Sequence, residues 1–389
     1  MLEAAFKGTI FLKMVKEVTV FANGDSREIK TWSNVPYFFT ETLLSKGIKV
    51  NRVDISESPI KRRLFNRTIG QAIRRISPGS TYYYFRSPIH FKDVVRRIKK
   101  TLVQYPDSET NIFLTYSFSS AGLTKKPAIL VCDWPYEYDL SHFRDRVPDR
   151  FERESIRREN QQIESSNVVI SLFPRVTGFM KKRYNNDQIF YLGNVVNALS
   201  TPDKAEILKA KANSGDVVFI GRPNYSVGAN HIVRACDALK KLYPHIRLHI
   251  IGMSKEDFPE LPGNVICYGY LDKARADQKD AYYALLSRAK VFVNTTPKWG
   301  AFSAMLEALY FYVPVITTPY CECVETFGES LSFGEYCTDG STQMLQEKLR
   351  FIFDAPIYST LCLNAHESVK NFSWPDYIDK VLEKIEATR

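Results

Sequence analysis

Val217-Val-Phe-Ile-Gly-Arg-Pro-Asn-Tyr-Ser-Val-Gly228 is the stretch on which the fold turns. An apolar, β-branched and aromatic run leads into Gly221-Arg222, and a short loop then reaches an amphipathic segment. That order predicts a strand, a turn and a helix. The helix is expected over Gly228–Leu242, with Ile232, Ala235, Leu239 and Leu242 on one face. Downstream, strands are expected at Ile246–Ile251, Val265–Tyr268, Val291–Asn294 and Val313–Thr317. Helices are expected at Asp280–Ala289, Ala301–Phe311, Thr342–Phe353 and Pro375–Glu386. The first half follows the same grammar. Its strands read at Glu17–Ala22, Ile48–Val53, Thr81–Phe85, Ile112–Tyr116, Ala128–Val131, Val168–Leu172 and Ile189–Leu192. Its helices read at Asn34–Ser45, Arg150–Ser165 and Pro174–Arg183. Alternation of this kind predicts parallel sheets covered on both faces. The expected class is α/β, with two doubly wound parallel-sheet domains facing a cleft. The boundary falls in Gly193–Asp216, giving an N-terminal domain over 1–198 and a C-terminal domain over 199–371.

Composition narrows the function. The 389 residues exceed one ordinary core, and 44% apolar content excludes wholesale disorder. No apolar run reaches the ~18 residues that span a bilayer. Lys7 and Lys13 interrupt the mildly apolar start, so it does not read as a signal peptide. Seven cysteines without a CxxC pair suit buried thiols in a reducing cytoplasm. GxGxxG, GxxxxGK[ST], GxSxG, HExxH and Asp-x-Asp are all absent, and the six histidines are scattered. Dinucleotide, P-loop, serine-hydrolase and metal motifs therefore find no support, and no metal or cofactor is expected.

Two strand ends carry the chemistry. Arg222 follows the glycine at one of them, and its planar fork suits a diphosphate. The alternative is a pair with a surface carboxylate. Thr295-Thr-Pro-Lys-Trp-Gly-Ala-Phe-Ser-Ala-Met-Leu-Glu-Ala-Leu309 joins a second strand to a helix. The amides of Gly300–Ser303 can face an anion there. Glu307 lies one turn after Ser303 and can accept two hydrogen bonds from a ribose diol. Its alternative is a solvated helical glutamate.

With Leu248-His-Ile-Ile-Gly252, Val265-Ile-Cys-Tyr-Gly-Tyr-Leu271 and Val313-Pro-Val-Ile316 in order, the sequence resembles the GT-B nucleotide-sugar glycosyltransferases of family GT4. Ser33-Asn-Val-Pro-Tyr37, Tyr191-Leu-Gly-Asn-Val-Val-Asn197 and Phe372-Ser-Trp374 extend the resemblance over nearly the whole chain. It implies Rossmann-like domains in GT-B architecture, with the last helix, 372–389, returning to the first domain. It implies a nucleotide-sugar donor held by Gly221, Arg222, Tyr225, Tyr268, Tyr270, Leu271, Lys298, Trp299, Gly300, Phe302, Ser303 and Glu307. Tyr268–Leu271 would lie beside the base, and Trp299–Ser303 would face sugar and phosphates. The acceptor, a glycan or lipid-linked glycan, would meet Asp25, Asn34, Asp133 and Trp134 in the first domain. The sequence departs from the family at Val227, where a lysine is usual, at Trp299, where a glutamate is usual, and at Cys132-Asp133, where His-Asp is usual. Lys298 is the candidate to replace the missing cation.

Arg222 and Asp133 are the catalytic candidates. Arg222 would stabilise the leaving diphosphate. Asp133 would take the acceptor proton if the reaction inverts, with Asp25 second in line, and it could equally be a turn carboxylate in Asp-Trp-Pro. A retaining course, which the resemblance implies, needs no dedicated base.

Net charge is +10, and it is concentrated. Residues 61–100 hold 12 Lys/Arg against the single acid Asp93, a local +11. Lys61–Ile76 reads as a basic amphipathic helix with Leu64, Ile69, Ala72, Ile73 and Ile76 on one face, and His90–Lys100 as a second basic helix. An anionic membrane surface is one expected partner, with the protein cytoplasmic or peripheral, and an anionic acceptor is the other use. Two surface helices packed on the sheet are the alternative. Nucleic-acid binding, suggested by Tyr82-Tyr-Tyr-Phe85 near this charge, lacks any recognition motif, and no nucleic acid is expected. A non-catalytic sugar-nucleotide-binding relative is the remaining alternative.

Overall fold

The computed structural model describes residues 15–297 and 302–388. Strands β1 (Glu17–Ala22), β2 (Lys49–Asp54), β3 (Thr110–Phe113), β4 (Ala128–Cys132), β5 (Val168–Ser171) and β6 (Ile189–Tyr191) form one sheet in the order β2-β1-β3-β4-β5-β6. Strands β7 (Asp216–Ile220), β8 (Arg247–Ile251), β9 (Val265–Cys267), β10 (Val291–Asn294), β11 (Val315–Thr317) and β12 (Gly334–Tyr336) form another, ordered β12-β11-β10-β7-β8-β9. Every strand pair is parallel. The inner strands are sealed on both faces, which is why they read as continuous apolar runs.

Helices α1 (Val35–Ser45), α2 (Pro59–Arg67), α3 (Ile69–Ile76), α4 (Pro88–Gln104), the single turn α5 (Tyr136–Tyr138), α6 (Arg150–Ser165) and α7 (Pro174–Arg183) belong to the first half. Helices α8 (Lys204–Ala212), α9 (Ser226–Leu239), α10 (Ala276–Arg288), α11 (Phe302–Tyr310), α12 (Cys321–Phe327), α13 (Thr342–Asp354) and α14 (Tyr358–Val369) belong to the second. The last helix, α15 (Trp374–Glu386), returns to the first domain. It buries Trp374, Tyr377, Ile378, Val381 and Ile385 beside Val18 and Phe39. Strand order reverses between β1 and β3 and between β7 and β10. Crevices at such switch points, beyond the carboxyl ends of the strands, are where doubly wound sheets bind ligands.

The structure corrects several expected elements. Thr81–Phe85 is no strand: Tyr84–Arg86 makes one 3₁₀ turn, and Glu152 takes the Thr81 amide. The aromatic residues are needed instead as a filler, with Tyr84 packing on Phe65 and Ile73 beneath the basic helices. Lys61–Ile76 is two helices, broken at Thr68 (φ −115°, ψ −93°), whose hydroxyl bonds back to the Leu64 carbonyl. Leu242 lies beyond the end of α9 and is exposed. Helices α8, α12 and α14 and edge strand β12 were not legible. Helix α8 lies in the stretch read as a linker, because its buried face is Ile207 and a lysine, Lys211.

Candidate functional site

A cavity of about 750 Å³ opens between the two sheets and is walled by both domains. On the second domain, Gly228 lets the first turn of α9 lie against the end of β10. A Cβ there would come within 2.6 Å of Thr296 Oγ1 and 2.9 Å of the Thr296 nitrogen. Arg222 leaves β7 into the cavity, with its guanidinium carbon 5.7 Å from the centre of the Tyr270 ring. No carboxylate among the described residues lies within ion-pair distance of it, so its charge faces the open space.

Glu307 is buried on α11, and its carboxylate is fully engaged. Lys273 Nζ donates to both oxygens at 2.9 Å, Tyr282 Oη donates at 2.7 Å and Tyr283 Oη at 2.8 Å. A buried carboxylate needs such compensation. Burial and the Glu307 charge together push the Tyr282 hydroxyl well above its ordinary range. Glu307 is thus neither solvated nor vacant: a ribose diol would meet an ion pair rather than a bare carboxylate.

On the first domain, Trp32, Ser33 and Asn34 follow one another with φ of 37°, 52° and 71°. Left-handed backbone at non-glycine residues costs about 1–3 kcal/mol each and persists only where surrounding contacts impose it. The contacts are visible. Trp32 Nε1 donates to Asp133 Oδ2 at 3.0 Å, and the Ser33 carbonyl accepts from Asn197 Nδ2 at 3.0 Å. Asn34 lines the cavity, and its buried Nδ2 has no partner among the described residues. Asp133 leaves the end of β4. Burial pushes its carboxyl up to about 6, against the Trp32 N–H that favours the charged form. Trp134 packs on Phe143 and Phe173, with centroids 4.8 and 5.7 Å away.

Polar contacts also join the walls. Asn197 donates to Ser303 Oγ at 3.2 Å as well as to Ser33, and accepts from Trp374 Nε1 at 3.0 Å. Glu322 on α12 accepts the Arg175 backbone N–H of α7 at 3.2 Å, and burial pushes its carboxyl up to about 7. Phe173 meets Phe302 edge-on at 5.8 Å.

The cavity wall therefore collects Asn34, Asp133, Trp134, Gly221, Arg222, Tyr225, Tyr270, Leu271, Phe302, Ser303 and Glu307. Lys298, Trp299 and Gly300 lie outside the described residues. Two expected residues are not on the wall. Asp25 turns its carboxylate onto its own loop, accepting the Arg27 amide at 2.9 Å. Tyr268 spends its hydroxyl on His249 Nδ1 at 2.9 Å, and His249 reaches Asp216 at 3.0 Å. Sequence reasoning missed Trp32, Lys273, Tyr282, Asn197 and Glu322. Asn197 closes the quoted Tyr191–Asn197 stretch but was not read as a site residue, and no motif marks the others; a lone lysine in a polar loop and a tyrosine pair within a helix carry no spacing signal.

Residues 200–369 match the glycosyl transferases group 1 family. No curated protein matches the sequence. Among solved structures, sucrose-phosphate synthase from Thermosynechococcus elongatus is 16% identical, with a TM-score of 0.69, and the match covers 96% of this chain and 100% of that one. WaaG, a glycosyltransferase involved in lipopolysaccharide biosynthesis, is 14% identical with a TM-score of 0.64, over 95% and 99% of the two chains. Anabaena Alr3699/HepE, solved with UDP and glucose, is 14% identical with a TM-score of 0.60, over 94% and 98%. These likenesses share the two-sheet architecture, and the family match falls on the half that carries Arg222 and Glu307. The chain has the GT-B fold, and its second half, residues 200–369, matches the glycosyl transferases group 1 family.

Proposed function

We propose that the protein moves a sugar from a nucleotide-diphosphate sugar to a glycan or glycolipid acceptor in polysaccharide or glycoconjugate synthesis, without a metal ion or other cofactor. The observation that carries the reading is Arg222, a cation without a carboxylate partner among the described residues, on the cavity wall opposite Asp133. The bond from the anomeric carbon to the diphosphate breaks, and both electrons leave with the phosphate oxygen. Arg222 and the amides at the start of α11 stabilise that charge as it develops. Lys298 is the candidate second cation. The unpartnered Asn34 amide is placed to donate a further hydrogen bond from the first domain. The acceptor hydroxyl forms the new bond and loses a proton. In an inverting course Asp133 takes it; in a retaining course the departing phosphate oxygen can. At the nucleoside end, a ribose hydroxyl can take the place of the Tyr282 or Tyr283 hydroxyl on Glu307 while accepting from Lys273. The UDP and glucose bound to the Anabaena relative support a nucleotide-sugar donor. Unpaired thiols at all seven cysteines suit the cytoplasm, where such donors are made.

A nucleoside-diphosphate thermal-shift panel, followed by sugar release from the matching donor with and without EDTA, tests this. Selective stabilisation and EDTA-resistant turnover are expected, with Arg222→Ala about 10²–10³-fold slower. Turnover that EDTA abolishes would overturn the metal-free reading. An absence of both stabilisation and turnover across the panel would overturn the donor reading.

A further inference from the structure

We propose that α2 and α3 dock the protein on an anionic lipid bilayer. The break at Thr68 sorts their side chains. Phe65 and Ile73 turn inward onto Tyr84 and fasten both helices to the domain. Ile60 and Leu64, one turn apart on α2, are 79% and 64% exposed. Ile76 and Ile69 on α3 are 70% and 46% exposed. Four large aliphatic side chains standing in solvent within 17 residues are not needed by the core that these helices already reach.

Their setting is cationic. Arg62, Arg63, Arg67, Arg74 and Arg75 are all exposed on the same two helices. Among the described residues, no carboxylate lies within ion-pair distance of Arg63, Arg67 or Arg75. The segment's one acid, Asp93 on α4, is taken by Lys61 and by Arg96, the latter at 2.8 Å. The Lys61 contact also ties α4 to α2, which adds exposed Lys92, Lys99 and Lys100 to the surface. Aliphatic side chains interleaved with guanidinium groups on an outward-facing amphipathic helix match the boundary between acyl chains and anionic headgroups. Single-stranded nucleic acid would need aromatic platforms. Here Tyr82 and Tyr84 are packed on Phe65 and only Tyr83 is exposed. No helix among the described residues is long and apolar enough to cross a membrane, so the attachment is peripheral. This inference does not rest on the sugar-transfer reading.

The full chain is sedimented with vesicles of phosphatidylcholine alone and of phosphatidylcholine mixed with phosphatidylglycerol, at low and high salt. Binding is expected only with phosphatidylglycerol and should weaken with salt. Ile60→Ser/Leu64→Ser should lower vesicle affinity more than about tenfold with an unchanged Tm, because the burial of two aliphatic groups is lost. Arg63→Gln/Arg67→Gln/Arg75→Gln should lose the phosphatidylglycerol preference. No binding to anionic vesicles overturns the proposal, as does binding that neither variant changes. So does a salt-sensitive shift of RNA that is lost in the arginine variant while vesicles are ignored.

Discussion

The Trp32 indole and the Asp133 carboxylate, 3.0 Å apart, set the pH at which this carboxylate can accept a proton. Burial raises the group from 3.8 to about 6, so it is ionised, and competent as a base, only above about pH 6. If the transfer inverts, kcat/KM should rise through about pH 6 and level off above it. The indole N–H bonds to the ionised form, so Trp32→Phe should move that limb to higher pH. Asp133→Asn should flatten it and lower kcat about 10²–10⁴-fold. A pH–rate profile of the three enzymes decides the matter, and an unmoved limb in Trp32→Phe would show that the contact is merely structural. Arg222, Asp133 and Glu307 were legible from sequence because each lies where a strand or helix end fixes its place. Their partners were not. Trp32 reaches Asp133 only through three successive left-handed residues, none of them glycine, and Lys273 reaches Glu307 from a loop 34 residues away. Side chains that meet by tertiary approach leave no periodicity to read.

Among the elements, α8 shows what polarity conceals. Its Lys211 is fully buried and donates to the Leu286 carbonyl at 2.6 Å and the Ala289 carbonyl at 2.9 Å, at the end of α10. A lysine that caps another helix looks, in sequence, like a lysine of a linker. Burial lowers its amine from 10.5 to about 7. Between those values the unfolded chain binds the extra proton, so this group makes stability rise with pH, by up to about 1.4 kcal/mol per unit. Denaturant melts of the wild type and Lys211→Met from pH 7 to 10 should therefore diverge in slope, with the methionine variant lacking that rise. The Gly228 contact is an element-scale device too. Gly228→Ala forces α9 off the end of β10 and should cost about 1–3 kcal/mol, and, on the proposed donor reading, weaken nucleotide binding by shifting Tyr225, which precedes α9 on the cavity wall. A chemical melt together with a nucleotide titration checks both. The inner parallel-sheet strands were legible because burial on both faces makes them uniformly apolar, and helices such as α9 because one face is periodically apolar. Thr81–Phe85 misled for the same reason: a run of rings fills a gap between helices as well as it fills a sheet.

At the scale of the molecule, two polar contacts and a returning helix govern how the domains meet. Asn197 spends its amide hydrogen bonds on the Trp32–Asn34 loop, on α11 and on α15, so it ties the strained first-domain loop to a second-domain helix through one buried side chain. The chain order of α15 was legible; the junction it makes was not, because it joins residues 177 positions apart and exists only once the chain between them has folded. Glu322 adds pH dependence to this joint. In the described arrangement its carboxyl is pushed up to about 7 by burial between α12 and α7. If the domains part, water reaches it and it returns towards 4.5. The joined form therefore binds a proton more tightly than the parted form between those values. Joining is favoured as pH falls from about 7 towards 4.5, and parting is favoured as pH rises through the same interval, by up to about tenfold per unit. Fluorescence energy transfer between labels on the two domains should report shorter distances at pH 5 than at pH 8. In Glu322→Gln, which keeps an oxygen for the Arg175 N–H but cannot titrate, the distance should no longer follow pH. A pH response that survives in Glu322→Gln would assign the joint's titration to another group.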